Sequence, residues 1–230
     1  MRPPTNSPPT GRPLRTPLLH AVAAGCGAAG VAALVVVAVA WEPLMALDRA
    51  VAEGLHADAV RRPLGVRVTR VLTDWVWDPW TLRLLLFAVV AALWRRGERG
   101  VARWLLLACG AAALVQQSLK ALVDRERPRW PDPVDSAEFA AFPSGHAMTA
   151  ALVWGLLWWV AARTAGAVTV RAVVVLGAVS TLGVGLTRMY LGVHWFSDVV
   201  GGWLLGGCLA AVAVVLYERR GPTLRRLEAP

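Results

Sequence analysis

Two stretches of this 230-residue chain gather side chains that can hold an anion and move a proton. The first runs from Lys120 through Arg127 and Pro128 to Pro143-Ser144-Gly145-His146, and the second, TRMYLGVHWFSD, carries Thr187, Arg188, His194 and Asp198. His194 and Asp198 are four residues apart. At the start of a helix both face one way, so the carboxylate accepts from one imidazole nitrogen and leaves the other as a nucleophile or base. A turn at Ser144-Gly145 that opens a helix aims backbone N–H groups and a hydroxyl at a negative ligand. Three cations, two histidines and a nest of donors together describe a phosphate site.

Each residue also has a plainer reading. Lys120 fits a side chain that snorkels from a helix end, with Asp124 one turn later as its ion-pair partner. Taken alone, Arg127 and Arg188 are interfacial arginines, and Arg125 and Arg129 are read as such. Asp198 suits any helix N-terminus, and Ser144 suits an N-cap. None of these plainer readings covers the whole set. Lys120 is also the single lysine of a chain with 24 Lys plus Arg. A compact ammonium differs from the wide planar fork used at every other cationic position.

The elements that position these residues are long apolar runs. The chain is 57% hydrophobic, and the spacing predicts an all-α polytopic membrane protein with six transmembrane helices over about 18–41, 79–94, 101–123, 146–163, 168–187 and 198–217. The second is the weakest, being short with Arg83 one turn inside. Small residues in "GCGAAG" and "GGWLLGG" suit close helix packing in lipid. Cys26, Cys109 and Cys208 lie within these runs without metal-like spacing and read as small buried hydrophobes. Residues 1–17, rich in Pro, Thr and Arg, are expected to be a disordered tail, with one domain over 18–217 and a second tail over 218–230. Between the first two spans, Leu47, Val51 and Leu55 recur every four residues, the pattern of a helix lying on the membrane surface and ending near Pro63.

Net charge is +9, but the arginines flank the spans in small groups, without the basic helix or basic-aromatic surface that nucleic acid binding requires. Arg2, Arg12 and Arg15, then Arg95, Arg96 and Arg99, then Arg163 and Arg171, then Arg219, Arg220, Arg225 and Arg226 all fall on one side of a six-span layout. The positive-inside rule makes that side, with both termini, cytoplasmic. The two chemistry-bearing stretches then share the outer face of the cell membrane. Trp75, Trp77, Trp80, Trp130 and Trp195 suit that interfacial depth. No feature fixes an oligomeric state.

The chain resembles the type 2 phosphatidic acid phosphatases, the superfamily that also contains bacterial acid phosphatases and vanadium haloperoxidases. The family signature is Lys, six residues, Arg-Pro; then Pro-Ser-Gly-His; then Ser-Arg, five residues, His, three residues, Asp. Here Lys120 with Arg127-Pro128, the 143–146 tetrapeptide, and Thr187-Arg188 with His194 and Asp198 keep every spacing, with Thr187 in place of serine. The resemblance implies a lipid phosphate phosphatase. His194 would attack phosphorus, Asp198 would orient it, and His146 would protonate the leaving oxygen and then activate water. Lys120, Arg127, Ser144, Gly145 and Arg188 would bind the phosphate oxygens, with no metal or other cofactor. A lipid phosphotransferase using an alcohol acceptor at the same site is the alternative, and a non-enzymatic anion holder a more distant one.

Overall fold

The computed structural model describes residues 16–227, with side chains described from His20 to Arg219. The expected disorder over 1–17 falls almost wholly outside them. The described residues form eight α-helices and no strand: α1 (Thr16–Ala38), α2 (Glu42–Arg61), α3 (Pro63–Val71), α4 (Pro79–Arg95), α5 (Arg99–Val123), α6 (Gly145–Thr164), α7 (Ala167–Tyr190) and α8 (Phe196–Leu227). Six helical stretches are long and apolar enough to cross a membrane: 20–38, 63–95, 99–123, 145–164, 167–190 and 196–219. Five match the expected spans closely. The second begins earlier, because α3 continues through a wide π-helical turn at 72–76 towards α4.

Local chemistry sets the breaks. Pro63, which cannot continue the hydrogen-bond ladder of α2, opens α3. Asp78 caps α4, its Oδ1 accepting from Trp80 N at 2.7 Å, and Pro79 occupies the first helical position. α5 ends at Asp124, which takes the left-handed conformation (φ 43°) that turns the chain across the end of the bundle.

α6 and α8 form the centre, with Leu105 of α5, Leu86 of α4 and Val153, Leu156 and Trp159 of α6 buried between helices. Leu107, Leu114, Val168 and Val175 point outward, an apolar exterior suited to hydrocarbon. The small residues allow the close approaches expected of them. A Cβ on Gly206 would fall 2.3 Å from the Met148 carbonyl oxygen, and one on Gly30 would fall 3.1 Å from Leu205. Cys109 is buried, whereas Cys26 and Cys208 are half-buried at the α1–α8 contact, less enclosed than expected. His20 meets Arg219 at 2.6 Å, so the beginning of the first span and the end of the last lie at the same end of the bundle.

The α2 helix differs from the surface helix expected of it. Its buried face is Asp48, Ala52, His56 and Ala59, while Leu47 is exposed and Val51 and Leu55 pack partly against Ala147, Met189 and Val199. A helix on a membrane surface turns its polar side to water. Here a carboxylate and an imidazole face the protein. The His56 ring stacks on Trp130 at 4.0 Å, and Trp130 Nε1 donates to the Gly192 carbonyl, fastening α2 to the loops above the bundle.

Candidate active site

The chemistry-bearing residues of the two stretches converge at the end of the bundle opposite His20 and Arg219. Lys120 lies in the last turn of α5, Arg127 in the loop after it, Ser144 and Gly145 at the start of α6, and His146 in its first turn. Arg188 lies in the last turn of α7, His194 in the short link after that helix, and Asp198 in the first turn of α8. Backbone bonds tie the pieces together: Ser144 N donates to Asp198 O at 3.0 Å, and Ala141 N donates to Arg125 O at 2.8 Å.

His194 is 2% exposed. Its Nδ1 is 3.4 Å from Asp198 Oδ2, and its Nε2 is 3.0 Å from Arg127 Nη1. A guanidinium can only donate, so Nε2 presents its lone pair to Arg127 and Nδ1 carries the hydrogen that faces the carboxylate. Trp195 N holds the same Oδ2 at 2.9 Å. Burial first, then the charge of Arg127, pushes the His194 pKa well below the ordinary histidine value. The ring is therefore neutral, with the lone pair on Nε2.

The cations are aimed by backbone carbonyls. Arg127 donates to Phe139 O and Glu138 O, each at 2.9 Å, and to Val193 O at 2.6 Å. Burial and neighbouring Arg188 lower its pKa to about 10, which leaves it charged at neutral pH. Lys120 is buried and donates to Ala140 O, so the ion pair with Asp124 gives way to a place under the same loop. Two of the site's own buried donors have no protein partner: Ser144 Oγ, on a fully buried residue, and Arg188 Nε, on one 5% exposed. The Ser144 hydroxyl does not cap α6. Unpaired buried donors beside three cations are what an anionic ligand would satisfy. Gly145 is closely packed on the side of its missing side chain, where a Cβ would fall 2.8 Å from Gln116 Nε2.

Beneath His194 lies a buried ionic network that the residue pattern did not disclose. Arg125, expected to be an ordinary interfacial arginine, reaches inward. Its Nη1 donates to Asp198 Oδ1 at 2.6 Å and to Ser197 Oγ at 2.7 Å, and its Nη2 donates to Asp48 Oδ2 at 2.7 Å. Asp48, 1% exposed, also accepts from Ser197 N at 2.8 Å and Ser197 Oγ at 2.5 Å. The expectation failed because a charge just past a helix end looks alike whether it turns to water or into the fold. The left-handed Asp124 decides which. Arg129 is the exposed arginine expected of it, paired with Glu126 at 3.2 Å.

A model of the PAP2 superfamily matches residues 101–222, just over half of the chain. The chain belongs to the PAP2 superfamily. Among solved structures, this PAP2 protein is similar to the crystal structure of a transmembrane PAP2-type phosphatidylglycerolphosphate phosphatase from Bacillus subtilis. That match has a TM-score of 0.72 and 25% identity, and covers 83% of this chain and 96% of the other. It is 35% identical over 104 residues to phosphatidylglycerophosphatase B of Bacillus subtilis, a match covering 44% of this chain and 51% of the relative, about half of that relative's length. It is 27% identical over 169 residues to an undecaprenyl-diphosphatase of Sulfolobus acidocaldarius, covering 67% and 69% of the two chains. With its six apolar helices, this PAP2 protein is a multi-pass membrane protein.

All eight predicted site residues of the PAP2 chain thus lie at one end of the bundle. Asp48, Arg125, Ser197, Gln116 and Asp78 join them from outside the signature. Of these five, the sequence singles out only Arg125, and as an interfacial arginine.

Proposed function

We propose that this chain is an integral-membrane lipid phosphate phosphatase that works through a phosphohistidine at the outer membrane–water interface. The observation that carries the reading is the His194 ring, its Nε2 lone pair aimed at Arg127 and its Nδ1 at Asp198. Arg127 must exchange that nitrogen for a phosphate oxygen when substrate arrives, which brings phosphorus to the lone pair.

In the first step Nε2 attacks phosphorus, the bond to the lipid oxygen breaks, and His146 gives its proton to that oxygen so that an alcohol or a lipid phosphate departs. Asp198 stabilises the positive ring as the N–P bond forms. In the second step His146 takes a proton from water, the hydroxide attacks phosphorus, the N–P bond breaks, and inorganic phosphate leaves. Lys120, Arg127 and Arg188, with Ser144 Oγ and the Gly145 N–H, neutralise the charge on the equatorial oxygens. Preorganised charge of this kind supplies most of the catalysis in phosphoryl transfer.

The relatives' names support a phosphatidylglycerol phosphate or a polyprenyl diphosphate as substrate. Arginines on the connections at the termini's end support a cytoplasmic location for that end and an outward-facing site. The test is phosphate release by purified protein from short-chain phosphatidic acid, phosphatidylglycerol phosphate and a polyprenyl diphosphate. His194→Ala is expected to abolish both turnover and the acid-labile phosphoryl protein. His146→Ala is expected to lower turnover about 100- to 10,000-fold, the usual worth of a general acid. Wild-type turnover in both variants would overturn the mechanism. An acceptor-dependent product without free phosphate would turn the reading to phosphotransfer.

A further inference from the structure

As the general acid of a phosphatase, His146 has a demanding assignment, and the role argued for Asp78 rests on that assignment. The ring must hold a proton until the leaving oxygen needs one, yet Lys120, Arg127 and Arg188 bring three positive charges to the same end of the bundle. Positive neighbours drive a proton off an imidazole. A charge partner of opposite sign is required to keep it there.

Asp78 is placed to be that partner. Its Oδ1 is committed to the N-terminus of α4, accepting from Trp80 N at 2.7 Å and more loosely from Thr81 N at 3.4 Å. Its Oδ2 is 4.0 Å from His146 Nε2. Both side chains are largely enclosed, 27% and 20% exposed. The cap fixes the carboxylate in place, so its second oxygen is held towards the ring without further ordering. Thr81 Oγ1 donates to Trp75 O at 2.8 Å and braces the same turn.

We propose that Asp78 is a positioning residue for the general acid: it pairs with His146 Nε2 and so presents a proton on Nδ1 to the leaving oxygen of the substrate. The pairing repeats, on the second histidine, the carboxylate–imidazole logic of Asp198 and His194. It differs in geometry, since Asp198 is buried and charge-compensated by Arg125, whereas Asp78 is compensated by the site itself, Arg188 being within its field.

A carboxylate that serves the proton donor matters in proportion to how poor the leaving group is. An alkoxide cannot depart without a proton, whereas a nitrophenolate can. Asp78→Asn keeps an oxygen for the cap and removes the charge, and Asp78→Ser caps α4 without reaching the ring. The measurement is kcat/KM, which stops at departure of the leaving group, for octyl phosphate and for a nitrophenyl phosphate bearing an octyl chain, in one detergent. The alkyl-to-aryl rate ratio is expected to fall about tenfold or more in both variants, a fraction of the full worth of a general acid. A merely structural role would slow both substrates alike, so an unchanged ratio overturns the proposal. Failure of the unsubstituted protein to release phosphate from either substrate would refute the phosphatase reading itself, and this role with it.

Discussion

Arg125 Nη1 donates to Asp198 Oδ1 across 2.6 Å, and the neighbouring nitrogen of the same guanidinium donates to Asp48 at 2.7 Å. One fork joins the carboxylate under His194 to a carboxylate that precedes it by 150 residues. Breaking a buried ionic network by removing one member strands the rest, at a cost of about 3–5 kcal/mol. Arg125→Ala is therefore expected to lower the thermal midpoint in detergent sharply and to abolish turnover. Arg125→Lys, which keeps the charge but spans one carboxylate at a time, is expected to fold and to lose activity. Full activity in the lysine variant would show that the bidentate geometry is dispensable.

Lys120 invites the opposite exchange. It sits under the 138–140 loop with its ammonium on Ala140 O, while Arg127 already takes Glu138 O and Phe139 O. A second planar fork would crowd Arg127, whose Nη2 already lies 3.5 Å from the same Ala140 oxygen. Lys120→Arg is expected to lose most of its turnover and vanadate affinity despite an unchanged charge. Measured inhibition by orthovanadate is the check, and wild-type potency would count against the steric account.

Gly202 on α8 backs the turn that carries Ser144. A Cβ there would fall 2.8 Å from the Ser144 carbonyl oxygen and 3.2 Å from Met148 N, neither of which is the yielding tip of a side chain. Overpacking of this kind costs about 1–3 kcal/mol. Gly202→Ala is expected to weaken vanadate binding more than it lowers the melting midpoint, because the atoms displaced belong to the anion cradle. The comparison needs both measurements on one preparation.

The pH dependence has a definite sign. His194 is neutral in the fold, with its pKa held well below the ordinary value by burial and Arg127. The unfolded chain binds that proton below about pH 6.5 and the folded one does not, so stability is level above that pH and declines as pH falls beneath it. Melting midpoints from pH 8 to pH 5 are expected to show this decline, and His194→Gln to flatten it. A steeper decline in the glutamine variant would assign the effect elsewhere.

Much of this molecule is legible in its sequence because its strongest signals are local or periodic. Hydropathy over twenty residues finds the spans, and fixed spacings find Lys120, Arg127, Ser144, His146, Arg188, His194 and Asp198. What was illegible depends on where a turn sends the chain. Asp48 and Arg125 are 77 residues apart and meet because Asp124 ends α5 in a left-handed conformation. Asp78 is a helix cap. Its second oxygen acquires meaning when α4 and α6 are set side by side. The buried face of α2 misled for a related reason: its leucine repeat is genuine, but the strongest inward contact is a carboxylate.

Asp48 and Asp78 both precede residue 101, where the match to the superfamily begins. The signature half of the chain is therefore not a transplantable unit. A chimera joining residues 101–222 to the amino-terminal helices of a relative would inherit every signature residue, yet would take the carboxylates that face Arg125 and His146 from the donor of the other half. Exchange between relatives should succeed where those two carboxylates travel with it, and the boundary of heredity in this chain lies ahead of the boundary of its motif.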